Sequence, residues 1–591
     1  MANEFYIRKG LAIATASVAT ASGSTQSTKY LVLGNDNIVR WATAGTGSGS
    51  GSINAAQPYF SVQLSVATGL TGFGLVDYPK GNLSFNEIGG SVPVTGTNNT
   101  LLGLTAGHGL SSQSGNTFLG ACAGSSATNT ANCNTFVGFK SGASNTSGEC
   151  NTFIGTEAGA NKTGTLCFNT FVGFQAGNSS LGACKSTFIG SWAGLNSSGS
   201  ENVIIGHEAG CNAANAAANK NVFVGNLSGC VTTAADNTFV GYQAGTKNTS
   251  GNANVMLGSC AGSCNTTTGG SVNVGYQSGF LNTGACNTFL GFCAGRNATS
   301  GSGNVFVGAC AGSGLQSGAF YTGTSSTIIG FGAGYCISTG NSNTFVGMCS
   351  GFCTTTGRSN VFVGVFSGLR NNTGCENTFV GLQSGLFNDC GCFNSFFGIY
   401  SGYCNTIGIS NVYIGTDAGR NLTNGCGNTF IGFGSGTDGN INNTITNTNI
   451  CYSVAVGHQA DTLGGQSVVI GARAGSGSGG KCNVIIGFDA GKNSTSTTAI
   501  DLCDSIIIGY CAGSSTGGCR NITIGSRSDM RATNAAFCDN IVIGYCALPT
   551  ANNQLVLAST HSWIGTASAG TFSHFLCAKI NNVDLKIPLY I

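Results

Sequence analysis

A nine-residue motif, Asn-Thr-Phe-Val-Gly-x-x-Ala/Ser-Gly, recurs along most of this 591-residue chain. It reads in full at Asn134–Gly142, Asn169–Gly177 and Asn237–Gly245. The first glycine of the motif occurs in about 26 copies between Gly103 and Gly544, and most neighbouring copies are 16 to 18 residues apart. A fixed short period of this kind is the signature of a repeat architecture, in which each unit packs mainly against its two neighbours.

Each repeat combines a short Thr/Val/Ile/Phe segment, which favours a β-strand, with two glycines that suit tight turns. A strand of four or five residues satisfies its backbone only by stacking on its copies, about 4.8 Å apart. The pattern therefore predicts an all-β protein, a parallel β-solenoid or β-roll of about 26 repeats of about 17 residues. The stack would be on the order of 120 Å long at that spacing. We expect columns formed by the following residues: Phe136, Phe153 and Phe171; Gly138, Gly155 and Gly173.

Neighbouring strand residues are both apolar in many repeats, as in Phe136-Val137 and Phe153-Ile154. Because successive strand residues point to opposite faces, one residue of each pair can fill the interior of the coil while the other points away. This second column favours self-association, most simply as a parallel homotrimer. The alternative is a wider monomeric solenoid in which the two apolar columns face two sheets of the same chain.

The chain contains 28 cysteines, many of them at the repeat spacing. Cys133, Cys150, Cys167 and Cys184 are each 17 residues apart, which predicts one vertical column. A second column is predicted in the turn: Cys122, Cys260, Cys293, Cys310, Cys349, Cys511 and Cys546. Three interpretations remain open, namely small buried apolar side chains, vertical disulfides and a ladder of metal sites.

Composition argues against several classes of function. Only 7% of the residues are charged and the formal net charge is +2, so the dense basic surface that nucleic acid requires is missing. Glu157, Glu208, Asp417 and Asp489 share one position of the repeat several coils apart, which predicts a solvated polar column rather than a catalytic pair. We predict no catalytic, cofactor-binding or metal site, and no enzymatic activity.

The repeat divides the chain into three parts. Residues 1–97 lack it and are interpreted as a β-rich head or attachment region, with a Gly/Ser linker near residues 45–52. Residues 98–548 form the solenoid shaft, in which the insertion Asn440–Asn449 is expected to loop outward. Residues 549–591 are interpreted as a cap, a trimerisation segment or a tip, with His561, Trp563 and His574 as candidate receptor-binding residues.

These repeats resemble those of bacteriophage tail and appendage fibres, in which Asn-Thr-Phe-Ile-Gly-x-x-Ala-Gly units recur. They are more distantly similar to the heads of trimeric autotransporter adhesins. The opening segment Met1–Leu11 looks like the N-termini by which phage fibres attach to the virion, and Ile580–Tyr590 looks like the C-terminal tails of phage virion proteins. The resemblance implies a homotrimer, a virion attachment protein bound at the N-terminus, and a host cell-surface receptor or glycan as partner.

The resulting hypothesis is a structural fibre protein of a phage virion that mediates host-surface attachment, located in the virion after assembly in the host cytoplasm. The alternative is a self-polymerising extracellular filament or cell-surface adhesin, in which heterologous contacts that do not close would join chains end to end. Neither hypothesis includes a cofactor, nucleic acid or insertion into a membrane.

Overall fold

The protein is described from a computed structural model that divides into two compact units, Met1–Tyr59 and Phe60–Ile591. The structure describes residues 29–33, 39–43, 59–65, 71–77, 81–86, 95–126, 129–160, 166–213, 218–314, 320–437, 450–462, 464–492, 500–514, 517–529, 537–558, 574–580 and 583–589. Within these ranges the regular elements are all β-strands. The described residues include no helix with the length and apolar character needed to cross a membrane.

The first unit contains one antiparallel hairpin of β1 (Lys29–Leu33) and β2 (Val39–Thr43). The second unit opens with β3 (Tyr59–Ser65), β4 (Thr71–Asp77) and β5 (Asn82–Asn86). Strand β4 pairs with β3 and runs antiparallel to β5. The direction of pairing changes at β5, which is parallel to the next strand of the chain.

From β5 to β35 every repeat contributes one short strand to a single parallel stack, paired in register with the strand before and after it. The strands of this stack after β5 are β6 (Thr100–Leu102), β7 (Thr117–Leu119), β8 (Thr135–Val137), β9 (Thr152–Ile154), β10 (Thr170–Val172), β11 (Thr187–Ile189), β12 (Val203–Ile205), β13 (Val222–Val224), β14 (Thr238–Val240), β15 (Val255–Leu257), β16 (Val272–Val274), β17 (Thr288–Leu290), β18 (Val305–Val307), β19 (Thr327–Ile329), β20 (Thr344–Val346), β21 (Val361–Val363), β22 (Thr378–Val380), β23 (Ser395–Phe397), β24 (Val412–Ile414), β25 (Thr429–Ile431), β26 (Val454–Val456), β27 (Val468–Ile470), β29 (Val484–Ile486), β31 (Ile506–Ile508), β33 (Ile522–Ile524), β34 (Ile541–Gly544) and β35 (Leu555–Ala558).

Two smaller sheets complete the second unit. A parallel sheet beside the main stack consists of β28 (Ser478–Gly479), β30 (Ile500–Cys503) and β32 (Gly518–Cys519). A terminal antiparallel hairpin consists of β36 (His574–Ile580) and β37 (Val583–Leu589). The all-β parallel solenoid at a spacing of about 17 residues, which the repeat predicted, is therefore confirmed. The insertion Asn440–Asn449 lies outside the described residues.

The central residue of each three-residue strand fills the interior of the coil. In β8, Phe136 is fully buried, whereas Thr135 and Val137 on either side of it are half-buried and point outward. The rings of Phe136 and Phe153 stack 4.9 Å apart, and those of Phe153 and Phe171 stack 4.7 Å apart. The ring spacing matches the strand spacing, so the predicted phenylalanine column is a continuous stack of aromatic rings.

The first glycine of the motif is required by close contact between coils. Gly138 has a φ of 133°, and a Cβ atom on it would lie 2.4 Å from the carbonyl oxygen of Gly155 in the next coil. The second glycine, Gly142, has a φ of 61°, and its Cβ atom would lie 2.5 Å from the ring of Phe136. Both positions therefore combine a backbone conformation that L-residues rarely adopt with a lack of space for any side chain.

The asparagine of the motif forms a buried ladder that links the coils. The backbone N–H and the side-chain Nδ2 of Asn151 donate to Oδ1 of Asn134, at 2.8 and 3.1 Å. Asn169 makes the same two bonds to Oδ1 of Asn151, at 3.0 and 3.1 Å. Serine takes this position in some repeats, as at Ser186, and still receives the backbone bond on its hydroxyl oxygen. The ladder satisfies polar groups that would otherwise be buried without partners.

Candidate functional site: the outer face of the solenoid

Two apolar columns run along the outer face of the main stack. The first is the last residue of each strand, and Ile154, Leu257 and Leu290 are 40%, 45% and 45% exposed in it. The second is the residue after the first glycine, and it includes Phe139 and Tyr242 among its exposed members. Because both positions recur in every coil, the apolar surface follows the length of the stack.

Exposed aromatic residues of the second column stack on one another between coils. Tyr276 and Phe292 have ring centroids 5.4 Å apart, and Phe488 and Tyr510 have centroids 5.5 Å apart. The outer faces of these rings contact no second sheet of the same chain in the residues that the structure describes. The alternative of a wider solenoid that buries both apolar columns against its own sheets is therefore wrong.

The largest exposed aromatic cluster lies on coils 10 to 12 strands into the chain, around Trp192. Its indole Nε1–H donates to Oε1 of Gln175 at 2.8 Å, and Nε2 of Gln175 donates to Oε2 of Glu157 at 2.7 Å. The Trp192 ring contacts the rings of Phe174 and His207, with centroid distances of 5.9 and 5.3 Å. No motif predicted this cluster, because Trp192 replaces the residue types that usually occupy its turn position.

The four carboxylates predicted to form a solvated polar column do share one turn position, but they are not simply solvated. Asp417 is buried and pairs with Arg420 at 2.9 Å. Asp489 pairs with Arg473 at 2.6 Å and with Lys492 at 3.6 Å. The turn position has a left-handed backbone that brings these side chains against the coil surface, where a basic side chain neutralises each charge.

The predicted single column Cys133, Cys150, Cys167 and Cys184 is wrong, because the structure divides it into two. Cys133 and Cys150 each come directly before the ladder asparagine, whereas Cys167 and Cys184 come one residue earlier and pair as an isolated bridge. Phe168 takes the place above Cys150, since its N–H donates to the Glu149 carbonyl at 2.9 Å. The cause is an interval of 18 residues between Gly155 and Gly173, which moves the register by one residue.

Most cysteines are not buried filler of the core. Cys133 and Cys150 are exposed, and Cys167 and Cys184 are partly exposed. The predicted turn column is confirmed as one position of the coil, with φ between 51° and 59° at every member. The buried cysteines among the described residues are Cys211, Cys230, Cys293 and Cys404. Burial raises the pKa of the Cys293 and Cys404 thiols, which makes them poor nucleophiles.

Several cysteines contact a cysteine of the adjacent coil. The sulfur atoms of Cys211 and Cys230 are 2.7 Å apart. The thiol of Cys336 hydrogen-bonds Cys353, which lowers the pKa of Cys353 to about 7. The signal for both contacts is present in the sequence, since each pair occupies one position of successive repeats. The spacing alone does not reveal it, because neighbouring repeats differ in length.

The described ranges contain no group of three His, Cys, Asp or Glu side chains that could hold a metal ion. Two of the candidate receptor-binding residues, His561 and Trp563, lie outside the described residues. The third, His574, is the first residue of β36 and is opposite Leu589 in β37.

Comparisons of the chain with family models, curated proteins and solved structures found no match. The fold and the surface of the solenoid are therefore the observations from which function is inferred.

Proposed function

We propose that this chain is a structural fibre protein of a phage virion that mediates attachment to the host surface. The observation that carries the proposal is the uninterrupted parallel stack, in which one strand per repeat extends the molecule by one coil. Such a stack acts as a spacer, because its length grows with the number of repeats while its cross-section stays the same. The resemblance of the repeat and of both terminal segments to phage fibres supports the virion assignment.

The shaft is proposed to associate with copies of itself as a parallel homotrimer. The exposed apolar columns, with residues such as Ile154 and Phe139, recur at the spacing of the coils. A parallel second copy presents the same columns at the same spacing, so each coil can bury its outer apolar residues against the equivalent coil. Monomeric proteins rarely expose a contiguous apolar surface of this extent.

Attachment is proposed to occur at the ends of the chain, while the solenoid supplies reach and resistance to proteolysis. A host-surface receptor or glycan would bind weakly at each of three chains, and multivalency would raise the overall affinity. The proposed role is structural and involves no catalytic step.

The oligomeric state tests the structural part of the proposal. Light scattering on the purified full-length protein should give a discrete mass near three chains, both with and without reductant. A monomer would refute the packing of outer apolar columns between copies. Polymers of indefinite length would instead support a self-polymerising filament.

Location tests the virion assignment separately. An antibody raised against the full-length protein should label fibres that project from purified virions in immunogold electron microscopy. Label on cell surfaces of uninfected cultures, with none on virions, would refute the assignment and leave the structural role intact.

A further inference from the structure

Two buried cysteines occupy the same position of successive coils. Cys211 directly follows the second glycine of its repeat, Gly210, and Cys230 directly follows Gly229 in the next repeat. Each is only 8% exposed. Their sulfur atoms are 2.7 Å apart, which is closer than two unbonded thiols pack and approaches the length of an S–S bond, about 2.05 Å.

Backbone hydrogen bonds hold the two coils in register at this point. The N–H of Gly210 donates to the Ser228 carbonyl at 2.9 Å, and the N–H of Asn212 donates to the Cys230 carbonyl at 2.7 Å. Stacked strands of this kind are about 4.8 Å apart. That separation lies within the Cα–Cα range of disulfides, about 4.4 to 6.8 Å. The main chain therefore needs no rearrangement to allow a bond between the sulfurs.

We propose that Cys211 and Cys230 form an intrachain disulfide that joins successive coils of the solenoid. The oxidant is a small-molecule disulfide such as oxidised glutathione. The Cys230 thiolate attacks one glutathione sulfur and releases one glutathione thiolate. The Cys211 thiolate then attacks Cys230 sulfur in the mixed disulfide and releases the second. Two cysteine thiols and one glutathione disulfide give one protein disulfide and two glutathione thiols, so atoms and electrons balance.

The order of the two attacks follows from the local electrostatics. The hydrogen bond from Cys211 lowers the pKa of Cys230, whereas the same interaction raises the pKa of Cys211. Cys230 is therefore the first of the pair to become a thiolate, which is the species that attacks a disulfide. This inference is independent of the proposed function, because it concerns only the contact between two coils.

The chain contains a matched cysteine that lacks such a neighbour. Cys404 is 5% exposed, and its N–H donates to the Arg420 carbonyl at 2.9 Å in the following coil. The residues at its position in the adjacent repeats are Phe387 and Asn421. Cys404 therefore reports what burial alone does to a cysteine in this solenoid.

Peptide mapping tests the proposal directly. The folded full-length protein is incubated with oxidised glutathione, denatured in iodoacetamide and digested with trypsin. Cleavage after Lys185, Lys220 and Lys247 gives peptides 186–220 and 221–247, each with a single cysteine. We expect mass spectrometry to find these two peptides linked, and to find them as separate peptides after reduction. The Cys404 peptide should not appear linked to either of them.

Two further measurements complete the test. Oxidation of the chain in denaturant should reduce the yield of the linked pair strongly, because the native coil no longer holds the sulfurs together. In the Cys230→Ala variant, Cys211 should be recovered alkylated or bound to glutathione. Recovery of Cys211 and Cys230 on separate peptides from the oxidised native protein would overturn the proposal, as would equal yields of the linked pair from native and denatured chains.

Discussion

The backbone N–H of Asn377 donates to the side-chain Oδ1 of Asn360 in the preceding coil, at 3.0 Å, and its Nδ2 donates to the same oxygen at 3.2 Å. Nδ2 of Asn377 also donates to the Gly391 carbonyl at 2.7 Å in the following coil. Oδ1 of Asn377 in turn accepts two bonds from Asn394, at 3.0 and 3.1 Å. One buried amide thus connects three successive coils.

Replacement of this amide should destabilise the coils on both sides. We expect Asn377→Ala to lower the local free energy of opening by at least about 2 kcal/mol, because it leaves the buried N–H of Asn394 without its acceptor. Hydrogen exchange measured by mass spectrometry on peptides from these coils provides the readout.

The chain itself supplies the control for that substitution. Ser186 occupies the equivalent position, and its hydroxyl oxygen accepts the N–H of Asn202 at 3.2 Å. Asn377→Ser should therefore be milder than Asn377→Ala by about 1 kcal/mol. Equal effects of the two variants would show that the ladder bond contributes little.

A Cβ atom at the first glycine of a repeat should prevent close stacking. Gly347 has a φ of 136°, and its Cβ atom would lie 2.4 Å from the Gly364 carbonyl oxygen. We expect Gly347→Ala to cost more than about 3 kcal/mol or to prevent folding of these coils. Hydrogen exchange of the same region, or loss of expression as folded protein, is the measurement.

Gly182 separates strain from collision in that experiment. It has a φ of 70°, but a Cβ atom there would meet nothing within 4 Å. Gly182→Ala should therefore cost only the backbone penalty, about 1 to 2 kcal/mol. A penalty at Gly182 as large as that at Gly347 would contradict the collision between coils.

Truncation of one ring should open a cavity in the aromatic stack. Phe362 is fully buried, and its ring lies 5.0 Å from Phe345 and 4.8 Å from Phe379. We expect Phe362→Ala to cost about 3 to 5 kcal/mol. Thr344→Ala, on the outer face of β20, should cost less than about 1 kcal/mol. Urea denaturation followed by circular dichroism would compare them, and equal midpoints would refute a role for the ring stack.

Alkaline pH should destabilise the solenoid through a buried tyrosine. Tyr413 is fully buried between Phe396 and Phe430, and burial raises its pKa well above the ordinary value of 10.0. Above pH 10 the unfolded chain loses this proton while the folded chain keeps it. The free energy of unfolding therefore falls as pH rises, by about 1.4 kcal/mol per pH unit for this group.

Tyr413→Phe removes that proton and should leave the ring stack in place. Relative to the parent chain, the variant should gain about 1.4 kcal/mol between pH 7 and pH 11. Urea denaturation at the two pH values measures the difference, in which the titration of other groups cancels. A difference that does not change with pH would show that the phenol ionises equally well in the folded coil.

Register is where interpretation of the repeat failed. A constant interval of 17 residues between cysteines predicted one column, yet Cys150 lies beneath Phe168 rather than Cys167. Stacking aligns residues that hold the same place relative to the strand, not residues at a constant interval of sequence. An extra residue between two strands therefore shifts every later position before the next strand.

The backbone at the turn was also not predictable from residue type. Lys140 has a φ of 56°, although lysine has no intrinsic preference for the left-handed region. Its N–H donates to the Ala121 carbonyl of the preceding coil at 2.9 Å. Bonds between coils thus hold a conformation that the local sequence does not favour, because each coil is built against one already formed.

The sequence alone determined the fold class, the order of the coils, and the columns of Phe136 and Gly138, because a strand this short can satisfy its backbone only by parallel stacking. The tertiary structure decided which apolar column points outward, which cysteines meet, and how Asn377 links three coils. These relationships depend on distances between coils, which follow from packing rather than from the identity of any single repeat.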